Sequence, residues 1–159
     1  MTAASKLAKG ASTRVMVLNC GSSSIKFQVV DKAANKAVLE GQADRLNTSE
    51  GRLKWLHRTK KHVVPLPRPS YPDVLERVCK VEEILKLKTC KVAEAEPWHL
   101  VGHRVVHGGN KFLSTTVVDA KMLENLASLD NLAPLHNPRQ RSAMAFTLAR
   151  YPGIPQVKT

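Results

Sequence analysis

The sequence predicts an α/β domain in which helices pack on a mixed β-sheet. Three observations carry that expectation. The N-terminal part alternates apolar and polar residues with a period of two, later segments carry apolar residues at helical spacing, and strand-like runs recur between them. Apolar residues make up 43% and charged residues 24% of the 159, enough to build one core but short of two ordinary domains.

Val15 to Leu18 form a short apolar run that leads into Asn19-Cys20-Gly21-Ser22-Ser23-Ser24. Beyond it Ile25, Phe27 and Val29 alternate with Lys26 and Gln28, so the segment reads as strand, turn, strand. A further strand is expected over Ala37 to Ala43, after a turn at Asn35. Residues 45 to 69 are basic and contain Pro65, Pro67 and Pro69, which predicts irregular strands and loop.

Ser70 is placed to cap a helix whose first turn tolerates Pro72 and gains from Asp73; Val74, Val78, Val81 and Leu85 then extend it to about Lys88. Trp98 to Val106 is apolar and β-branched enough for a buried strand, ended by Gly108-Gly109. Asp119 starts a helix with Met122, Leu126 and Leu129 on one face, closed by Pro134. Asn137 and Pro138 form the cap and first residue of a helix to about Arg150, and Ile154 to Val157 begin another strand after Tyr151-Pro152-Gly153.

The formal charge is +12, from 25 Lys and Arg against 13 Asp and Glu, so the surface draws anions such as nucleotides, acyl phosphates or nucleic acid. Arg52, Lys54, Arg58, Lys60, Lys61 and Arg68 hold much of the excess, without a nucleic-acid-binding motif, and a solvated basic face is the plainer reading. Cys20, Cys79 and Cys90 are odd in number and lack paired metal spacing, which fits a reducing, cytoplasmic setting. No apolar run approaches the ~18 residues of a membrane span. Residues 1 to 13 are expected to be a disordered extension, although Lys6 and Lys9 without an acid leave organelle targeting open.

Three motifs carry chemistry. In the first, Gly21 and three serines let amides and hydroxyls approach an anion, Lys26 adds charge, and Asn19 offers a neutral oxygen towards a metal-bound phosphate. An ordinary Gly-Ser hairpin has the same residue types, and neither a Walker A nor a dinucleotide loop is present. In the second, Gly102 to Gly109, strand alternation would put Arg104 and Val106 on one face. An arginine can fork onto a carboxylate while valine holds a short alkyl group; a structural ion pair is the alternative for Arg104. His103 and His107 have helical metal spacing, but their surroundings favour strand. In the third, Ala133 to Pro138, two prolines stiffen a loop in which Leu135 could wall an apolar pocket. His136 could donate to a transferring phosphoryl group or merely cap a carbonyl.

Together, Val17-Leu18-Asn19-Cys20-Gly21-Ser22-Ser23-Ser24-Ile25-Lys26-Phe27, Gly102-His103-Arg104-Val105-Val106-His107-Gly108-Gly109 and Leu132-Ala133-Pro134-Leu135-His136-Asn137-Pro138 resemble the acetate kinase family. The resemblance runs from about Val15 to Val157 and implies an actin-like, ribonuclease-H-like ATPase domain over 14 to 159. It implies that Asn19 helps position magnesium and nucleotide phosphate, that Ser22 and Ser24 line the phosphate loop, and that Lys26 contributes to ATP binding. It further implies that Arg104 binds acetate and phosphoryl oxygens, that Val106 and Leu135 wall the methyl pocket, and that His136 stands beside the phosphoryl path.

The implied reaction is reversible, magnesium-dependent transfer between ATP and acetate, giving ADP and acetyl phosphate. Cys20 stands where alanine is commoner and Asn110 where glutamate often follows the paired glycines. Members of that family are more than twice this long, continue the last strand into Phe-Asp-Thr, and homodimerise largely through their later part. The expectation is therefore an N-terminal portion, truncated before a second domain and inactive or nearly so alone. Alternatives are a propionate or butyrate kinase portion, and a non-catalytic basic binding module.

Overall fold

The computed structural model describes residues 13–57, 59–89 and 99–159, with the side chains of 81–89 excepted. All of the expected extension but Thr13 lies outside the described residues, as does Trp98. The fold starts with a hairpin: β1 (Arg14–Cys20) pairs antiparallel with β2 (Ile25–Asp31), Cys20 opposite Ile25 and Asn19 opposite Lys26. The period-two pattern decides which face is covered. Met16, Leu18 and Cys20, with Ile25, Phe27 and Val29, are buried on one side, while Asn19, Lys26 and Gln28 belong to the other. Asn35 adopts the left-handed conformation (φ 48°) in the turn to β3 (Lys36–Asp44), which continues the antiparallel ladder. Gly41 lies opposite Phe27, where a Cβ would come within 2.3 Å of its Cζ and 2.7 Å of the Lys54 carbonyl oxygen.

The basic segment departs from expectation. Rather than irregular strands and loop it forms a regular hairpin, β4 (Arg52–His57) with β5 (Lys60–Pro65), and Trp55 stacks on His62 with centroids 4.9 Å apart. The prolines permit this because they sit at the edge strand's end and beyond it, where a missing amide costs the ladder nothing. Asp44 accepts from Arg52 (2.9 Å) and pairs with Lys54, which ties the hairpin to β3.

Helix α1 (Tyr71–Thr89) opens as expected: the Ser70 amide donates to the Asp73 carboxylate (3.2 Å) and the Asp73 amide to Ser70 Oγ (3.3 Å). Its Val74, Leu75, Val78 and Cys79 join the core beneath β1 and β2. Strand β6 (Leu100–His103) then lies parallel to β1 and stops earlier than the expected Val106. A short strand not foreseen, β7 (Thr116–Val117), precedes α2 (Ala120–Ala127), whose cap Asp119 accepts from the Met122 amide (2.7 Å). Helix α2 ends before Pro134, and a single 3-10 turn (Asp130–Leu132) fills the gap. Helix α3 (Asn137–Arg150) begins one residue earlier than anticipated, with His136 as cap and Asn137 already helical. Strand β8 (Gln156–Lys158) closes the described chain, parallel to β6 and antiparallel to β7.

Among the described residues the eight strands form one sheet in the order β5-β4-β3-β2-β1-β6-β8-β7. Helices α1 and α3 cover the face that carries Met16, Leu18 and Phe27, and α2 packs on α3 through Met122, Leu126 and Met144. The opposite face carries a row of polar and apolar side chains along a cleft.

Candidate active site

The cleft has a volume of about 1170 Å³ and runs along the uncovered face of the sheet. Asn19 of β1, Lys26 of β2 and Arg104 just past β6 all line it. Asn19 and Lys26 are direct cross-strand partners, and Leu18 lies opposite His103 in the parallel β1–β6 pair. The chain then carries one step past β6, where the Arg104 amide donates to the Leu18 carbonyl at 3.0 Å. Arg104 makes no ion pair among the described residues, so the structural-pair reading finds no support there. Its charge is left to face the cleft beside Asn19 and Lys26.

The turn between β1 and β2 is closed by the Gly21 amide donating to the Ser24 carbonyl at 2.8 Å. Gly21 matters for closeness, since a Cβ there would stand 3.3 Å from that carbonyl oxygen. The Tyr71 hydroxyl reaches the Gly21 carbonyl (3.4 Å), and Arg139 of α3 lies 5.0 Å over the Tyr71 ring, which fastens the turn from the helical side. Burial pushes the Cys20 thiol up to about 12, despite a hydrogen bond with Tyr71 that lowers it. Cys20 is therefore an inert core thiol under the turn, and its presence takes nothing from the donors above it.

Strand β6 ends before Arg104, yet burial alternates along the segment as expected: His103 is buried and Val105 packs on the cluster of Val118, Met122, Leu126, Leu129 and Met144, while Arg104 and Val106 are exposed. The ladder ends after the Val105 amide donates to the Thr159 carbonyl (2.9 Å), and the Val106 amide donates to the Gln140 side chain (3.0 Å). Val106 and Leu135 are 48% and 67% exposed, and they lie outside the cleft lining with Ser22, Ser24 and His136. The His136 side chain caps nothing in its helix.

His103 and His107 do not converge. His103 Nε2 lies 2.9 Å from Gln156 Oε1 and 3.3 Å from Thr147 Oγ1, whereas His107 Nδ1 accepts from the Gly109 amide at 3.0 Å. Burial lowers the His103 pKa to about 4, against a raising hydrogen bond from Gln156, so the ring is neutral near pH 7 and Arg104 supplies the local charge.

Three buried polar residues of this neighbourhood escaped sequence reasoning, Gln140, Thr147 and Gln156, and Asn137 was expected only as a helix cap. Asn137, Gln140 and Thr147 fall at three- and seven-residue spacings on one face of α3, a stripe in which apolar residues are expected. That placement of amides on a core-facing stripe was the available signal.

The model of the acetokinase family matches residues 14–159. The chain belongs to that family. Curated acetokinase relatives include the acetate kinases of Fervidobacterium nodosum, 35% identical over 144 residues, and Thermotoga maritima, 35% identical over 147 residues; each alignment covers 91% of this chain and 35% of the relative. Among solved structures, a propionate kinase from Francisella tularensis superposes with a TM-score of 0.80 at 32% identity, over 92% of this chain and 36% of that one. The acetate kinase of Porphyromonas gingivalis superposes at 0.75 and 29% identity, over 93% and 37%. The chain thus spans about a third of the length of the relatives it matches, and its α/β fold is the one that the resemblance implied.

Proposed function

We propose that residues 14–159 form the phosphate- and carboxylate-binding part of an acetate kinase, which transfers a phosphoryl group reversibly between ATP and acetate. The observation that carries this reading is the convergence of Asn19, Lys26 and Arg104 on one cleft, with no ion pair to Arg104 among the described residues. Phosphoryl transfer needs little covalent help from protein and depends on positioning and charge neutralisation. Lys26 acts as a point charge on nucleotide phosphate, and Arg104 forks onto oxygens of the carboxylate and of the transferring group. Ser22 and Ser24 donate hydroxyls to the phosphate chain, His136 donates to the phosphoryl oxygens, and Val106 and Leu135 border the acetate methyl.

The donor set suits magnesium that arrives with the nucleotide. Such an ion takes one or two protein oxygens plus phosphates and water, and Asn19 offers an oxygen on the cleft, while the described residues contain no cluster of three or more His, Cys, Asp or Glu. Asn19 would hold it, and magnesium when bound neutralises charge on the phosphates.

Titration of the isotopically labelled chain with acetyl phosphate tests the reading. Saturable shifts at Arg104, Asn19 and Lys26 are expected, and Arg104→Ala should weaken binding by about 10- to 100-fold, the worth of a charged hydrogen bond. Shifts spread over the basic hairpin and unaffected by Arg104→Ala would refute it in favour of the basic binding module. The likeness to a propionate kinase supports a second reading in which a three-carbon acid is preferred. Competition between acetate and propionate at the same signals separates the two.

A further inference from the structure

We propose that Gln140 and Asn137 are positioning residues that set the aim of Arg104, an inference that rests on the acetate kinase reading above. Both are buried at the start of α3, 2% and 0% exposed. None of the three hydrogen bonds their side chains make serves the helix. Gln140 Oε1 accepts from the Val106 amide at 3.0 Å, and Asn137 Nδ2 donates to the His107 carbonyl at 2.9 Å and to the Leu129 carbonyl at 3.0 Å. The two amides therefore grip the segment that follows Arg104 at two places, the Val106 amide and the His107 carbonyl.

The grip has a mechanical meaning because the ladder lets go there. Arg104 and Val105 are held by strand-like bonds to Leu18 and Thr159, and beyond them the Val106 amide and the His107 carbonyl have side chains of α3 as partners. Since α3 starts at His136–Asn137, the same side chains also hold the His136 loop in register with the Arg104 segment. Asn137 Oδ1 is buried without a hydrogen-bond partner among the described residues, so the amide is kept here for the two bonds it donates, at the cost of an unpaired acceptor. Amides at these places make sense as geometric constraints on a binding group, which must be held to a fraction of an ångström by its supporting shell.

The test uses the 159-residue chain and acetyl phosphate, followed by NMR. Gln140→Met removes the acceptor at similar length, Gln140→Glu retains an acceptor oxygen, and Asn137→Leu removes the donors. Affinity should fall about tenfold in Gln140→Met and Asn137→Leu, the effect typical of removing a supporting residue, and recover to within about twofold of wild type in Gln140→Glu. The Arg104 Nε–H signal should move in the two weakened variants while the β1–β2 amides stay in place. In wild type alone, whatever the variants do, the Val106 amide should exchange as slowly as the β6 amides. Equal affinity in folded Gln140→Met, or rapid exchange at Val106 in wild type, overturns the inference and leaves the acetate kinase reading standing. Absence of acetyl phosphate binding by wild type overturns that reading, and this inference with it.

Discussion

Arg104 and His103 are neighbours with opposite fates. Arg104 lies one residue past β6 and lines the cleft, where its guanidinium is available to a ligand. Replacing it with lysine keeps the charge but loses the planar fork; Arg104→Lys should recover only part of the acetyl phosphate affinity lost in Arg104→Ala, measured by the same titration. His103 faces the core, where burial holds its pKa near 4 instead of 6.5. Between those values the unfolded chain binds a proton that the native chain refuses. Stability is therefore full above about pH 6.5 and declines as the pH falls towards 4, by ~3 kcal/mol at most. His103→Gln should flatten that slope, which urea midpoints measured across the same pH range would reveal; an unchanged slope would place the acid sensitivity elsewhere.

At the scale of elements, the N-terminal hairpin was legible because each of its signals is local. Alternation over Val15 to Val29, the serine-rich turn and the Asn35 turn all act within a few residues. The basic segment departs from expectation because the effect of a proline depends on where its strand lies: β5 is an edge strand, where Pro65 can end the ladder harmlessly. Gly41 exposes the same gap between local and tertiary information. Gly41→Ala would drive a methyl into Phe27 and the β4 backbone, and it should cost at least ~2 kcal/mol by chemical denaturation, as overpacking in a tight core does. Asp119→Ala removes only a cap hydrogen bond and should cost about 1 kcal/mol, with α2 retained in the circular dichroism spectrum.

For the whole molecule, charge and extent set the expectations. The net charge of +12 and the exposed edge Lys60 and Lys61 attract anions at long range; Lys60 lies outside the cleft lining, so neutralising it should lower any salt-sensitive nucleic-acid binding while leaving the acetyl phosphate shifts intact. The chain spans about a third of the length of the relatives it matches. Acetyl phosphate formation by the purified chain, free of host kinase, is expected to be at background. Robust turnover would show that Asn19, Lys26, Arg104 and His136 suffice.

The sequence by itself determined the elements whose cause is local: the β1–β2 hairpin, the caps at Ser70 and Asp119, the helical stripes, and the motifs that placed the chain beside acetate kinases. It also named Asn19, Lys26 and Arg104, because those residue types suit phosphate and carboxylate. Only the tertiary structure decided that these three meet, since their convergence depends on β6 inserting parallel to β1 across some eighty residues of chain. It alone decided that β6 ends at His103 while Val105 packs towards α2 and α3, and that Gln140 and Asn137 hold the segment behind Arg104. The physical reason is common to both. A backbone amide must find a partner, and which one it finds once a strand ends depends on what the rest of the fold has brought within reach.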